Sequence, residues 1–304
     1  MTGPAAQESM AELLRTSSLR VRSRSPLLGA LRKILWSPVG GASSVVIAVL
    51  VFTAIFAPAV APYDPISIST AKFESPSFSH PMGTDNLGRD VLSRILYGSR
   101  ISLYVAMLAV IFGTLVGSFV GLLSGFVGGW FDLIAQRVVD AVLALPGLVL
   151  AMALVAVLGA STTNALLAIS IVIVPSTSRV VRSAVLGTKQ NVYIEGAYSL
   201  GASPARVMLR HILPNVAAPI LILISAVLGG AILIETSLSF LGLGTPPPNP
   251  SWGGMLSGSG RLYMEQAPWL AIFPGVAISV TVLAFNMLGD VVRDVLDPRL
   301  RGSR

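Results

Sequence analysis

Residues 141–178 read AVLALPGLVLAMALVAVLGASTTNALLAISIVIVPSTS, without a single Asp, Glu, Lys or Arg. As one straight helix this run would be about 57 Å long at 1.5 Å per residue. A bilayer's hydrocarbon core is only about 30 Å thick. Inside the run lies Gly159-Ala160-Ser161-Thr162-Thr163-Asn164, a cluster of turn formers. The run therefore reads as two helices joined by a tight turn, and that reading sets the parity of the whole chain.

Four other stretches also lack Asp, Glu, Lys and Arg: 34–63, 101–131, 211–234 and 266–289. Each is long enough for one spanning helix of about 20 residues. The sequence thus predicts an all-α membrane protein with six transmembrane helices and both termini on one side. Composition agrees: 53% of residues are hydrophobic, 12% are charged, and mean hydropathy is +0.78. A soluble domain carries about 25% charged residues.

Charge placement orients the bundle. With the N-terminus inside, the outer segments hold only Lys72, Arg89, Arg94, Arg100 and Arg261 of the 21 Lys and Arg residues. The rest fall on the inner side, as the positive-inside rule requires. The high pI of about 10.2 reads as this topological bias and not as a nucleic-acid surface. The first apolar run follows about 35 residues, too many for an ordinary signal-peptide n-region, and reads as a retained helix. Zero cysteines exclude disulfides and thiolate metal sites. His80 and His211, the two histidines, lie too far apart in sequence to suggest a metal site.

The expected organisation is a basic cytoplasmic tail at 1–40, a first transmembrane helix at 41–62, and an extracytoplasmic segment at 63–99. A five-helix core follows at 100–290, containing a polar cytoplasmic loop at 179–215, and a tail closes the chain at 291–304. Residues 27–36 could lie amphipathically on the membrane surface, with Arg32 and Lys33 toward headgroups, or form a solvated tail. Gly113, Gly117, Gly121 and Gly125 recur every four residues on the second span. That spacing places them on one helix face, where another backbone can approach closely. Pro146-Gly147 predicts a kink in the third helix, and Pro175 one near the inner end of the fourth.

The polar loop carries its own signals. Asn191 is an expected N-cap, with a short helix at 192–200. Gly201 then stands where a left-handed residue ends a helix. Ser203-Pro204 reads as N-cap and first position of a second helix, running to about Leu213 and ending near Pro214. The result is a helix, a glycine turn and a helix: a rigid knuckle able to seat in a groove on another protein.

Several charged residues invite separate readings. Asp140 lies three residues from Arg137, spacing for a helical ion pair. Arg206 and Arg210 lie at i and i+4. Glu235, near the outer end of the fifth span, is a candidate for the translocation path, since an intramembrane carboxylate is a functional hypothesis by default. Asp85, Arg89 and Asp90 form an outer cluster that could order its loop or meet a partner.

The run Glu195-Gly196-Ala197-Tyr198-Ser199-Leu200-Gly201, followed by His211-Ile212-Leu213-Pro214, resembles the EAA loop of importer-type ABC permeases. It departs from that pattern at Gly196, where Ala is usual, and at His211, where Ile is usual. Three further stretches resemble the same group. One starts at Met82-Gly83-Thr84-Asp85 and runs on through Arg100-Ile101-Ser102-Leu103. Another runs from Leu238-Ser239-Phe240-Leu241-Gly242 to Ser251-Trp252-Gly253. The last runs from Asn286-Met287-Leu288-Gly289-Asp290 to Asp297-Pro298-Arg299-Leu300. Together they resemble the C-type permease of dipeptide, oligopeptide and nickel ABC importers, over about residues 40 to 302.

The resemblance implies a type I ABC importer permease fold in a bacterial cytoplasmic membrane. It implies a homologous B-type permease as partner, two ATPase domains and an external solute-binding protein, with di- or oligopeptides as the default substrate. ATP and Mg would sit on the ATPase subunits, and this chain would bind no cofactor, carry no catalytic residue and bind no nucleic acid. Glu195, Gly196, Ala197, Leu200, Gly201, Arg206, Arg210, Leu213 and Pro214 would form the coupling surface. Consistently, no G-x-x-x-x-G-K-[ST] phosphate loop occurs. The rival readings are an ATP-independent channel or secondary transporter, and a membrane enzyme. The first would want ionisable residues near mid-membrane, and the second a Ser-His or paired-Asp site at membrane depth. The spans offer neither, which counts against an ion-coupled transporter and a membrane enzyme but not against a channel.

Overall fold

A computed structural model describes residues 26–296, and every regular element among them is helical. The basic tail before residue 26 and the tail after 296 lie outside the described residues. The chain opens with α1 (Pro26–Trp36) and α2 (Pro38–Ile55). Between them Ser37 accepts from the Gly40 amide at 3.1 Å, and Pro38 takes the first helical position, where its fixed φ fits. A single turn, α3 (Ala57–Val60), leads into an irregular segment at 61–90. The 37-residue α4 (Val91–Val127) then starts at Asp90, whose carboxylate accepts from the Ser93 amide at 2.8 Å.

The next helices are α5 (Gly129–Leu143), α6 (Gly147–Leu158) and α7 (Thr162–Lys189). Between α6 and α7 the chain reverses through Gly159, at φ +91°. Ser161 accepts from the Asn164 amide at 3.0 Å, while the Asn164 side chain donates to the Leu158 and Gly159 carbonyls at 2.9 Å. The long apolar run thus folds into two helices at the turn its sequence marks. The bend at Pro146 is far sharper than a kink, because α5 and α6 meet at 90°. Pro146 has no N–H to extend α5, and it disfavours helical geometry at Leu145. The 12 residues of α6 make only about 18 Å of helix, short of a bilayer core.

Beyond α7 come α8 (Val192–Ser199), α9 (Pro204–Val207), a π-helical turn at Met208–Ile212, and α10 (Leu213–Phe240). Next are α11 (Trp252–Met255), a second π turn at Leu256–Gly260, and α12 (Trp269–Leu296). Among the described residues, five helices are long and apolar enough to cross a membrane: α2, α4, α7, the helical stretch 204–240 and α12. The bent pair of α5 and α6 makes a sixth span if it counts as one. On α2, Val45, Val49, Phe52 and Ile55 are exposed, as a helix facing hydrocarbon requires.

The glycine strip decides how the centre packs. A Cβ at Gly113 would stand 2.7 Å from the Ser170 carbonyl, at Gly117 2.6 Å from that of Val174, and at Gly125 3.0 Å from that of Arg182. Gly121 faces the Ser178 carbonyl in the same way. Both partners step by four residues, so α4 and α7 lie backbone to backbone along three turns. Val105, Ala106, Ala109 and Val110 of α4 continue the contact among Ile169 of α7 and Ile232 of α10.

Long-range contacts sort the ends of the bundle. Thr162 meets Thr245 at 3.0 Å, Ser259 donates to Asn86 at 2.7 Å, and Trp269 donates to the Thr84 carbonyl at 3.2 Å. Segments 61–90, 159–161 and 241–268 therefore share one end. At the opposite end, Gly40 packs near Val291, and α7 carries the loop at 190–203 to this same end.

A helical knuckle as the candidate functional site

The knuckle is held by its own backbone. The Gly201 amide donates to the Tyr198 carbonyl at 2.9 Å, and the Ala202 amide to the Ala197 carbonyl at 3.0 Å. These two bonds form a Schellman cap on α8, which needs a left-handed residue at its centre. Gly201 supplies it at φ +81°. Nothing lies within 4 Å of where a Gly201 Cβ would be, so its requirement is conformational and not spatial.

One local expectation holds in position though not in side-chain bonding, and a second is corrected here. Asn191 stands at the N-cap of α8, yet its side chain makes no cap bond. It donates instead to the Thr188 carbonyl at 3.0 Å, which also accepts the Asn191 amide at 3.2 Å at the end of α7. The second helix also does not stop near Pro214. Ser203 accepts from the Arg206 amide at 3.4 Å and opens α9 as expected. The chain then widens through the π turn, where the Leu213 amide reaches back to the Met208 carbonyl, and continues as α10. Pro214 cannot donate to the helix, and the widened turn absorbs that missing bond at the start of α10.

Apolar anchors seat the knuckle on the bundle. Ile194, Val207, Ile212 and Val216 are buried with Val181 and Val185 of α7 and Leu122 of α4. The Asn215 side chain latches the two halves, donating to the Tyr193 hydroxyl at 3.2 Å and the His211 carbonyl at 2.5 Å. Sequence reasoning misses this latch, although Asn215 directly follows the Leu213-Pro214 pair.

Outward, the knuckle presents an apolar surface with charges around it. Val192 is 81% exposed and Leu200 91%, with Tyr193 and Tyr198 about half exposed. Glu195, Gly196, Arg206, Arg210, Leu213 and Pro214 are exposed as well, while Ala197 is half buried in the cap. The Glu195 carboxylate has no partner among the described residues. Two tyrosines and two aliphatic side chains held in the open by a rigid turn suit a docking surface.

Behind the knuckle, α7 is fastened to the corner of α4 and α5. Arg182 donates to Asp132 through two bonds of 2.6 Å, and Ser124 and Gln136 complete the cluster. Lys189 donates to the Phe126 carbonyl at 2.9 Å, at the open end of α4. Asp140 pairs with Arg179 of α7 at 2.5 Å and not with Arg137, because the 90° bend swings α5 across α7.

At the other end, Asp85, Arg89 and Asp90 order their loop. Asp85 accepts from the Leu87 and Arg89 amides and from the Arg89 guanidinium. Asp90 caps α4 and meets His80 at 2.9 Å. Glu235 is 2% exposed and accepts from Ser239 at 2.8 Å. It is covered by this chain's own helices, and only Ser239 carries its contact outward to a polar cavity.

Comparison with known proteins places this architecture. Residues 113–302 match the family described as binding-protein-dependent transport system inner membrane component. Residues 25–76 match the N-terminal transmembrane domain of oligopeptide transport permease C. The chain is 42% identical over 280 residues to the glutathione transport system permease protein GsiD of Pectobacterium atrosepticum, covering 91% of this chain and 93% of that one. It is 40% identical over 278 residues to the dipeptide transport system permease protein DppC of Alkalihalophilus pseudofirmus, covering 91% of each. To the Escherichia coli GsiD it is 44% identical over 255 residues, with 83% and 84% covered. An all-helical bundle with five or six apolar crossings, a family match over most of its length and relatives this similar together make the chain a member of the binding-protein-dependent transport system inner membrane component family.

Proposed function

We propose that this chain is a permease subunit of an ATP-driven importer for di- or oligopeptides, glutathione among them, and that the knuckle is where it meets its ATPase. The relatives named for dipeptide and glutathione transport support the substrate class. The observation that carries the coupling role is the Schellman-capped turn, which holds Val192, Glu195 and Leu200 in the open on an otherwise seated element. In this reading the ATPases bind ATP and Mg, and a homologous permease shares the translocation path. An external binding protein delivers the solute. The bias of basic residues supports a cytoplasmic knuckle end in this reading, with segments 61–90 and 241–268 outside. Glu195 and the Arg206 and Arg210 pair supply charges of both signs around the apolar patch, which would set the docking register. Glu235 belongs to the path only through Ser239.

The chain has no cysteine, so single-cysteine variants report contacts without background. Leu200→Cys should cross-link to an ATPase subunit in native membranes, while a cysteine at Phe78, on the opposite end, should not. Glu195→Ala should lower uptake while the external binding protein still captures its ligand. Absence of any Leu200 cross-link, with normal uptake in Glu195→Ala, would remove the coupling assignment.

A further inference from the structure

We infer that the cavity opposite the knuckle is an anion subsite that takes the carboxylate of the transported solute, an inference that rests on the peptide-import reading. The cavity holds about 250 Å³ between the corner at 85–94 and the loop at 245–259. Two guanidinium groups, Arg89 and Arg94, line it together with the Asp85 carboxylate. Their side chains are only 14% and 10% exposed.

The charges do not balance. Asp85 is already engaged by the Leu87 amide at 2.9 Å, the Arg89 amide at 3.0 Å and Arg89 Nε at 2.7 Å. Arg94 spends one nitrogen on the Pro65 carbonyl at 2.9 Å and lies 3.8 Å from Asp85. The terminal nitrogens of Arg89 and the second one of Arg94 have no partner among the described residues. Two cations thus face one carboxylate that is already committed, in a nearly buried wall. A buried cation without a counter-charge is costly, and an anion entering the cavity would relieve that cost.

The remaining wall selects what kind of anion fits. Ser257, Ser259, Asn249 and Thr245 line the same cavity and offer neutral hydrogen-bonding groups. One excess positive charge matches a singly charged carboxylate, and guanidinium forks bind carboxylates through paired bonds. Ser239 also lines the cavity and donates to buried Glu235, so the site is joined to α10 and through it to the knuckle. A solute end captured here would touch the helix that couples to the ATPase.

The test uses the complete complex of both permeases and the ATPases in nanodiscs, without binding protein. Equilibrium binding of tritiated tri-alanine is compared with that of its C-terminal amide. The acid should bind at least tenfold more tightly. Arg89→Gln should bring the two within twofold, and Arg89→Lys should retain a preference for the acid. Ser257→Glu should place a carboxylate inside the cavity and erase the preference independently, without removing Arg89 from its turn. Equal binding of acid and amide by the unaltered complex, or an intact preference in both Arg89→Gln and Ser257→Glu, overturns the subsite. Acetate competing as well as tri-alanine marks a free-anion site and overturns the solute assignment. Uptake by the complete importer separates the two levels. Equal binding with uptake intact sinks the subsite alone, and an acid preference without any peptide uptake sinks the peptide reading alone.

Discussion

Arg182 and Asp132 meet through two parallel bonds of 2.6 Å although 50 residues separate them in the chain. Paired geometry of this kind is the strongest form of ion pair. It ties α7, which leads straight into the knuckle, to the amphipathic α5. Asp132→Asn should destabilise the purified permease by about 1–2 kcal/mol, below the roughly 3–5 kcal/mol of a fully buried pair because both groups are partly exposed. Thermal unfolding in detergent measures this, and the charge-reversed pair Asp132→Arg with Arg182→Asp should recover some of the loss. An unchanged midpoint in Asp132→Asn would remove the fastening role.

Gly117 and Gly196 should respond in opposite directions to the same change. A Cβ at Gly117 stands 2.6 Å from one backbone carbonyl and 2.7 Å from the Thr177 Cβ, so Gly117→Ala must push α4 and α7 apart. The expected cost is about 1–3 kcal/mol, as for other overpacked cores. Gly196 has open space around it within a helix, and Gly196→Ala should stabilise by up to about 1 kcal/mol. The same unfolding measurement, run on both variants, decides the sign at each position.

Gly201 needs its backbone and not its space. Gly201→Ala should cost about 1–2 kcal/mol through the left-handed conformation alone. Gly201→Asn should cost less, because Asn tolerates that region. Co-purification of the ATPase with each variant ranks them, and Gly201→Ala should recover less than Gly201→Asn or Gly201→Asp, since Asp also tolerates that region. Equal recovery of all three would mean that the turn is not what the ATPase reads.

Asn215 joins the halves of the knuckle through its exposed bond to the Tyr193 hydroxyl at 3.2 Å, while its bond to the His211 carbonyl holds the side chain in place. Asn215→Ala should speed amide hydrogen exchange in α8 by roughly threefold to tenfold, the equivalent of about 0.5–1.5 kcal/mol. Exchange in α4 serves as the internal reference and should not change. Faster exchange in both helices would point to a global loss of stability instead.

What the sequence reveals follows from the range of each interaction. The reversal at Gly159 to Asn164 is settled by bonds spanning six residues or fewer, so local turn chemistry suffices to find it. The four-residue spacing of Gly113 to Gly125 makes a smooth face by helix geometry alone, but nothing local says that α7 covers it. The break at Pro146 exceeds the expected kink because α5 packs on α7 through Asp132 and Asp140. Asp140 escapes sequence spacing for the same reason: its partner is near in space and far along the chain. At Asn191 and Pro214 competition decides. The side chain of Asn191 finds the end of α7 more accessible than the start of α8, and a widened turn rather than a stop absorbs Pro214.

The helical stretch from Pro204 to Phe240 runs on through the π turn at Met208–Ile212 and past Pro219, long enough to serve as a lever. Its 37 residues span about 55 Å, and about 38 Å of that lies between the seat at Ile212 and Val216 and the end at Ser239, so a tilt of about 10° about the seat sweeps that end through about 6–7 Å. Val207 is clasped in the bundle near one tip, and Ser239 borders the cavity near the other. In the proposed coupling, a push on the knuckle would need no relay of rearranging side chains to be felt at the far mouth. It would arrive there as displacement, amplified by length, with the buried seat at Ile212 and Val216 as the fulcrum.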